Sequence, residues 1–124
     1  MRSGYRPGEG DFATARRELR ARKHPNYNAA CFHAQQCAEK YLKARLLMAG
    51  TRFPKTHDLE ALVKLLLPHE PGLLELLPMA VSLTSLAVDV RYPGHPVDKA
   101  TAAEALGYCN VIRAAVRRSL GLND

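Results

Sequence analysis

The stretch from Tyr27 to Ala49 constrains the fold of this chain most, because small and apolar residues recur there with helical spacing for about six turns, without Gly or Pro. Asn26 or Asn28 suits the N-terminal cap of such a helix, and Gly50 suits its C-terminal end. The alanines let a neighbouring helix approach closely, so the stretch predicts a long, closely packed helix. One side of this helix carries Tyr27, Ala30, Ala34, Cys37, Ala38, Tyr41 and Ala49.

Helical periodicity continues through most of the remaining chain, and no stretch alternates apolar and polar residues long enough to predict a strand. Short loops between the helices predict an all-α, antiparallel, up-and-down bundle of four or five helices. The last helix repeats apolar residues in one narrow seam, at Ala102, Ala105, Cys109, Ile112 and Val116. The other predicted bounds are Asp11 to His24–Pro25, Thr56–Asp58 to just before Pro68, Pro71 to Val90 with Pro78 as a kink or a restart, and Asp98 to Leu120.

Length and composition indicate one domain, since 124 residues with 47% apolar and 24% charged content suit a single core. We predict a flexible N-terminal arm at residues 1–10, a helical domain at 11–120 and a C-terminal tail at 121–124. No apolar run follows Arg2 and Arg6, so no secretory signal is expected. Polar residues interrupt the most apolar region, Leu73 to Val90, which predicts a core helix. We therefore expect a cytoplasmic protein with no membrane partner.

The net charge of +6 is concentrated in the N-terminal half of the chain. Residues 1–55 hold twelve Lys and Arg against four Asp and Glu, whereas residues 56–124 hold six against eight. A cationic half attracts phosphate-bearing partners. A basic surface that only keeps the protein in solution explains the same distribution, so charge alone leaves both interpretations open.

The side of the second helix opposite its alanines carries a polar stripe of His33, Gln36, Lys40 and Lys43. Phe32 and Leu47 border this stripe, where solvent-facing polar residues would be expected. Apolar residues beside a polar stripe suit a homodimer interface or a ligand cleft. A simple solvated helix face is the alternative.

Three motifs occur in order along the sequence: "ACFHAQQCAEKYLKARLLMAG" in the second helix, "PKTHDLEALVKLL" leading into the third, and "VRYP" at the end of the fourth. Together they resemble the HEPN domain family (higher eukaryotes and prokaryotes nucleotide-binding). The family pattern combines an A-x-F-x-x-Q-Q-x-A-E-K-x-L-K helix with T-H-D-L and R-Y-P. The resemblance spans roughly residues 11–120.

This resemblance implies a helical bundle that pairs into a homodimer, usually in bacteria or archaea. Small stand-alone members of the family are often encoded with a minimal nucleotidyltransferase, and the two act as a toxin–antitoxin or nucleotide-handling pair. We therefore expect a homodimer that binds nucleotide or RNA phosphate and works with a nucleotidyltransferase partner. A non-catalytic structural or interaction dimer without a ligand is an alternative.

Several HEPN branches are metal-independent ribonucleases, whose motif is an arginine, four to six residues and a histidine. The matching candidates here are Arg91, to hold a phosphate in a bidentate fork, and His95, to transfer a proton. Only three residues separate them, and Pro93 and Gly94 are expected to end the helix, which places His95 in a turn. A ribonuclease that uses this pair is therefore the alternative to a function limited to binding.

Nucleotide or phosphate binding is predicted first for Arg91 and Tyr92, because a tyrosine ring can stack on a base beside the phosphate that arginine holds. A cation at a helix C-terminus and a packed tyrosine explain the same two residues structurally. The second helix contributes further candidates for the same ligand: Lys40, Lys43, His33 and Gln36.

The sequence offers no motif for a metal or a cofactor. The three cysteines are odd in number and lack a C-x-x-C pair, so they are expected to be reduced core residues. No E-x-x-H pair for a di-iron site and no G-x-x-x-x-G-K loop for ATP occur. His57–Asp58 could form an acid–base pair, but Thr56 and Asp58 are interpreted as caps of the third helix.

Overall fold

The computed structural model describes residues 6–90 and 96–122, and this part of the chain forms five α-helices, one 3₁₀-helix and no strand. The all-α prediction is confirmed. The α-helices are α1 (Glu9–Arg20), α2 (Tyr27–Met48), α3 (Leu59–Leu66), α4 (Leu77–Val90) and α5 (Lys99–Ser119), and the 3₁₀-helix is Pro71–Leu76.

Side chains cap the starts of three helices, each by accepting a hydrogen bond from a backbone N–H in the first turn, and the caps of α2 and α3 were predicted. Asn26 caps α2 through the N–H of Ala29 at 2.9 Å. Asp58 caps α3 through Glu60 at 3.0 Å, and Asp98 caps α5 through Thr101 at 2.8 Å. Pro78 lies in the first turn of α4, directly after the 3₁₀-helix, where its missing N–H costs no hydrogen bond. It therefore marks a restart of the helix.

The first helix begins at Glu9, two residues before the predicted start at Asp11. Gly8 precedes it with φ of 77°, a left-handed conformation that glycine adopts without a steric penalty. Gly8 is buried against α2, so close that a Cβ placed on it would lie 2.8 Å from the carbonyl oxygen of Cys37. Residues 8–10, which were expected to belong to the arm at 1–10, thus pack as part of the bundle.

The long helix α2 is the centre of the bundle and packs against α1, α3, α4 and α5. Its small side chains at Ala30, Ala34 and Ala38 are fully buried, as the close packing of neighbours requires. The predicted α5 seam is confirmed, since all its members are fully buried: Ala102, Ala105, Cys109, Ile112 and Val116. The motif-bearing helix is consequently fixed on several sides.

One segment of the described chain, Pro71–Val88, has the length and the mean hydropathy, 1.5, of a membrane-spanning helix. It consists of the 3₁₀-helix and most of α4. Leu73, Leu76, Ala80 and Leu83 on its inner side belong to the core of the bundle. The inner side of this segment therefore contributes to the core, whereas the segment as a whole is only 28% buried.

Candidate functional site

The polar stripe of α2 is paired with a carboxylate from α1. Lys40 Nζ donates to Asp11 Oδ2 at 2.6 Å, and His33 Nδ1 lies 2.8 Å from Asp11 Oδ1. Asp11 is only 11% exposed, while Lys40 is 55% exposed. Burial of Asp11 opposes its ionisation, but the hydrogen bonds from Lys40 and His33 outweigh burial and lower the pKa of Asp11 below its usual 3.8. One partly buried carboxylate thus binds two of the predicted ligand-binding groups.

A second carboxylate, Glu39 of α2, connects the α2 motif with the T-H-D-L motif. Lys43 Nζ donates to Glu39 Oε2 at 3.0 Å, and His57 Nδ1 lies 2.8 Å from Glu39 Oε1. Gln35 Nε2 donates to the backbone carbonyl of His57 at 2.6 Å. The glutamine and glutamate of the α2 motif therefore fix the T-H-D-L segment in place.

The T-H-D-L segment itself performs the predicted capping. Thr56 Oγ1 accepts from the N–H of Asp58 at 3.0 Å, and Asp58 in turn caps α3. His57 pairs with Glu39, and Asp58 bonds to the backbone, so the two side chains form no acid–base pair with each other. The capping interpretation is confirmed.

These ion pairs change what the α2 stripe can offer a ligand. His33, Lys40 and Lys43 were predicted to bind phosphate, and each now has a carboxylate partner within the chain. Lys43 also lies over the Phe53 ring, with Nζ 5.8 Å from the ring centroid. A phosphate at this stripe has to compete with Asp11 and Glu39, which makes the stripe a weaker anion site than the sequence indicated.

Only some of the ion pairs of the α2 stripe could be predicted from the sequence. Glu39 stands four residues before Lys43, which is the spacing of an ion pair within a helix, and the contact between them is therefore predictable from the sequence. Asp11 lies 22 and 29 positions from its two partners, and no local pattern reports such a contact. Gln36, the remaining predicted member of the stripe, is partly buried.

Apolar side chains on the same helix face solvent in the described chain. Phe32 is 49% exposed and Leu47 is 67% exposed, and Met48 beside Leu47 is also exposed. The Phe32 and His33 rings pack edge-to-face, with their centroids 5.1 Å apart, so the phenyl ring lies beside the polar stripe. The apolar border predicted from the sequence is therefore present, and its role in a dimer stays a prediction.

The predicted catalytic residues Arg91 and His95, and the predicted nucleotide-binding residue Tyr92, lie outside the described residues. Helix α4 is described to Val90 and the chain again from Pro96. The roles of Arg91, Tyr92 and His95 accordingly stay predictions.

A charged cluster that sequence reasoning missed connects α1, α2 and α5. Arg113 forms a two-pronged ion pair with Glu9, with both N–O distances at 2.7 Å. Tyr41 Oη donates to Glu9 Oε2 at 2.6 Å and accepts from Arg117 Nη1 at 2.9 Å. The Arg113 guanidinium lowers the pKa of Glu9 to about 2, although burial opposes this, and burial together with Glu9 raises the pKa of Tyr41 to about 12. The cluster has no free acid or base for catalysis near neutral pH, so its role is to fix helices.

The three cysteines are buried free thiols. Burial raises the pKa of Cys31 to about 11, and a hydrogen bond with Cys109 together with burial raises the pKa of Cys37. Thiols of this kind are poor nucleophiles, because the thiolate is the reactive form. Across residues 6–90 and 96–122, no three His, Cys, Asp or Glu side chains come together as a metal site.

The α2 motif contacts the T-H-D-L segment inside an all-helical bundle. The family model described as "HEPN domain" matches residues 1–119 of the chain. The chain belongs to the HEPN domain family. No curated protein and no solved structure matches it significantly. HEPN membership assigns the chain a function related to nucleotides or RNA.

Proposed function

We propose that this HEPN protein is a homodimer that binds the phosphate of a nucleotide or of RNA. In this proposal it acts with a minimal nucleotidyltransferase as part of a toxin–antitoxin or nucleotide-handling pair in the prokaryotic cytoplasm. The observation that carries the proposal is the HEPN match over residues 1–119, which covers nearly the whole chain. The three motifs that define the resemblance all lie within this match.

Dimer formation is supported by the exposed apolar residues of α2. Phe32 and Leu47 lie on the outer face of a helix whose other sides are packed, and their exposure to water is unfavourable in a monomer. A second copy that covers both residues would place two α2 stripes next to each other. An isologous contact of this kind is the commonest arrangement among homo-oligomers.

Phosphate binding in this proposal rests mainly on Arg91, with Tyr92 beside it. A guanidinium binds phosphate through two parallel hydrogen bonds, which an ammonium group cannot do. The α2 lysines have a secondary role, because Asp11 and Glu39 already bind them. The ion pairs therefore support the order that the sequence suggested, with Arg91 and Tyr92 first and the α2 residues after them.

We expect the wild-type protein to sediment as a dimer and the Phe32→Asp/Leu47→Asp variant to sediment as a monomer. Two buried carboxylates without partners oppose association strongly, because their desolvation is costly. Analytical ultracentrifugation at micromolar concentration measures the difference. The matched control is Val111→Asp, which alters an exposed apolar residue of α5 and should leave the dimer intact. A monomeric wild type, or a Val111→Asp variant that alone dissociates, contradicts the predicted interface.

Arg91→Ala is expected to weaken nucleotide or RNA binding by about ten- to a hundredfold, the effect of losing charged hydrogen bonds worth about 1.5–3 kcal/mol. Lys40→Ala should weaken binding by less than about threefold, since Lys40 is already bound to Asp11 at the surface. Isothermal titration calorimetry with nucleoside triphosphates and a short RNA compares the two variants. A larger loss in Lys40→Ala than in Arg91→Ala would reverse the proposed ranking.

The same variants decide whether the protein also cleaves RNA. Mixed RNA is incubated in EDTA with the wild type, Arg91→Ala and His95→Ala. Intact RNA in all three reactions is the result expected of a binding protein. Cleavage by the wild type that both substitutions abolish would establish a metal-independent ribonuclease that uses Arg91 and His95.

A further inference from the structure

The C-terminal half of α1 and the turn after it carry a dense run of cations. Residues 16–23 contain five Lys and Arg and a single acid, Glu18. All five cationic residues are exposed, and together they form the α1 patch: Arg16, Arg17, Arg20, Arg22 and Lys23. With Glu18 counted, this run has a net charge of +4, which is half of the net +8 of residues 1–55.

The α1 patch differs from the α2 stripe because its charges are not neutralised. Among the described residues, no side chain of the patch forms an ion pair with a carboxylate, and Arg17 only donates to the Thr14 hydroxyl at 3.1 Å. Glu18, the one acid in the run, accepts from the backbone N–H of Asn26 at 2.9 Å. The patch therefore presents five positive charges to solvent at one end of the bundle.

An open groove begins at this patch and runs between α1 and α5. Its volume is about 540 Å³, within the range of small-ligand sites. Phe12 and Arg16 from α1 line the groove together with Arg113 from α5, and the guanidinium carbons of Arg16 and Arg113 lie 5.6 and 4.3 Å from the centre of the Phe12 ring. The groove is open beside Gly107 of α5, because nothing lies within 4 Å of where a Cβ on this residue would stand.

We propose that the α1 patch and this groove form a binding surface for single-stranded RNA, built from residues other than Arg91. The proposal rests on the proposed function for the class of ligand. Exposed guanidinium groups hold successive phosphates, and a base lies in the groove against the Arg16 guanidinium, with the Asn110 amide available at its edge. The guanidinium groups near the Phe12 ring and the open space at Gly107 leave room for a planar base to stack in the groove.

The test compares variants by fluorescence anisotropy with a labelled single-stranded oligouridine of about 20 nucleotides, longer than a typical single-strand site. Arg20→Gln/Arg22→Gln, at two exposed residues of the patch, should weaken binding about tenfold at low salt. It should also reduce the slope of log K against log[salt] by about 1.4, or about 0.7 for each lost phosphate contact. The matched control, Arg52→Gln/Lys55→Gln, removes the same charge from exposed residues in the loop after α2. That loop follows the opposite end of a 22-residue helix, about 33 Å away, so the control should leave the slope unchanged.

A third variant, Gly107→Leu, fills the groove without changing charge. Leucine favours the helix more than glycine does and meets open space here, so folding is retained. We expect weaker RNA binding with an unchanged salt slope, because a stacked base is displaced and no phosphate contact is lost.

The outcomes separate this inference from the proposed function. If the wild type binds RNA and only Arg91→Ala weakens binding, the proposed function stands and the α1 surface is refuted, which leaves the patch for another partner such as an acidic protein. Equal losses in the α1 variant and the control show attraction by net charge alone and also refute the surface. If the wild type binds neither RNA nor nucleotide, the proposed function itself fails.

Discussion

Replacing Glu9 with alanine is expected to lower the free energy of unfolding by about 2–4 kcal/mol. The substitution removes a two-pronged ion pair with Arg113 and a hydrogen bond from Tyr41, and it leaves Arg113 with only 18% exposure and no carboxylate. A charge left without its partner in a largely buried position is costly. Partial exposure of both groups keeps the effect below that of a fully buried pair. Urea unfolding followed by circular dichroism measures it.

The matched control is Glu75→Ala, which removes an exposed carboxylate from the 3₁₀-helix. We expect a change within about 0.5 kcal/mol, as for most surface substitutions. Equal destabilisation by the two substitutions would contradict a structural role for the Glu9 cluster.

The same ion pair makes stability depend on pH in the acid range. Glu9 has a pKa of about 2 in the folded protein, against an ordinary value of 4.5. Its contribution is fully present above about pH 4.5 and is lost as the pH falls towards 2, because the unfolded chain takes up the proton first. Glu9→Gln should therefore flatten the fall in unfolding free energy between these two pH values. A wild-type curve and a variant curve that run parallel there would rule this out.

Gly8→Ala is expected to destabilise the protein by about 3 kcal/mol. Part of the loss comes from the left-handed backbone at φ of 77°, which costs an alanine about 1–2 kcal/mol. The rest comes from the clash of the new Cβ with the backbone of Cys37, which lies in the middle of α2 and cannot move aside easily. Thermal or urea unfolding gives the value.

Gly50 supplies the control that separates these two causes. It has φ of 68°, and nothing lies within 4 Å of where its Cβ would stand. Gly50→Ala should cost only the backbone part, about 1–2 kcal/mol. If Gly8→Ala costs no more than Gly50→Ala, the contact between the start of α1 and α2 is not tight.

Most of the bundle could be predicted from local sequence signals. Asn26 and Asp58 cap the helices they were expected to cap, because capping depends on residues within three positions of the cap. The buried α5 seam follows in the same way from helical periodicity.

The start of α1 was placed two residues late, because Asp11 looks like a cap in the sequence. In the structure it binds His33 and Lys40, while Gly8 lies where α1 begins. The contacts of Asp11 with His33 and Lys40 join α1 to residues 22 and 29 positions away along the chain. Sequence patterns within one helix do not report such contacts, and for the same reason the pairing of Glu9 with Arg113, 104 positions away, was missed.

The sequence predicted that the α2 stripe residues share one helix face, but it did not predict which of them pair with a carboxylate. The stripe residues of α2 lie on one face with Phe32 and Leu47 exposed beside them, as helical geometry requires. Whether a lysine is free to bind phosphate depends on the carboxylates that the fold brings to it. Lys40 and the α1 patch carry the same kind of charge, but only Lys40 meets an acid.

The three buried cysteines make disulfide formation between copies depend on unfolding of the bundle. Cys31 and Cys37 lie within α2 and Cys109 within α5, and all three are inaccessible to solvent. Disulfide exchange between two copies needs a thiolate that can reach a sulfur of the other copy, and burial denies both conditions. Two native copies therefore have no route to a covalent link through cysteine. A disulfide-linked band on a non-reducing gel would come from chains that had opened, and its rate of appearance in air would report how often the bundle unfolds.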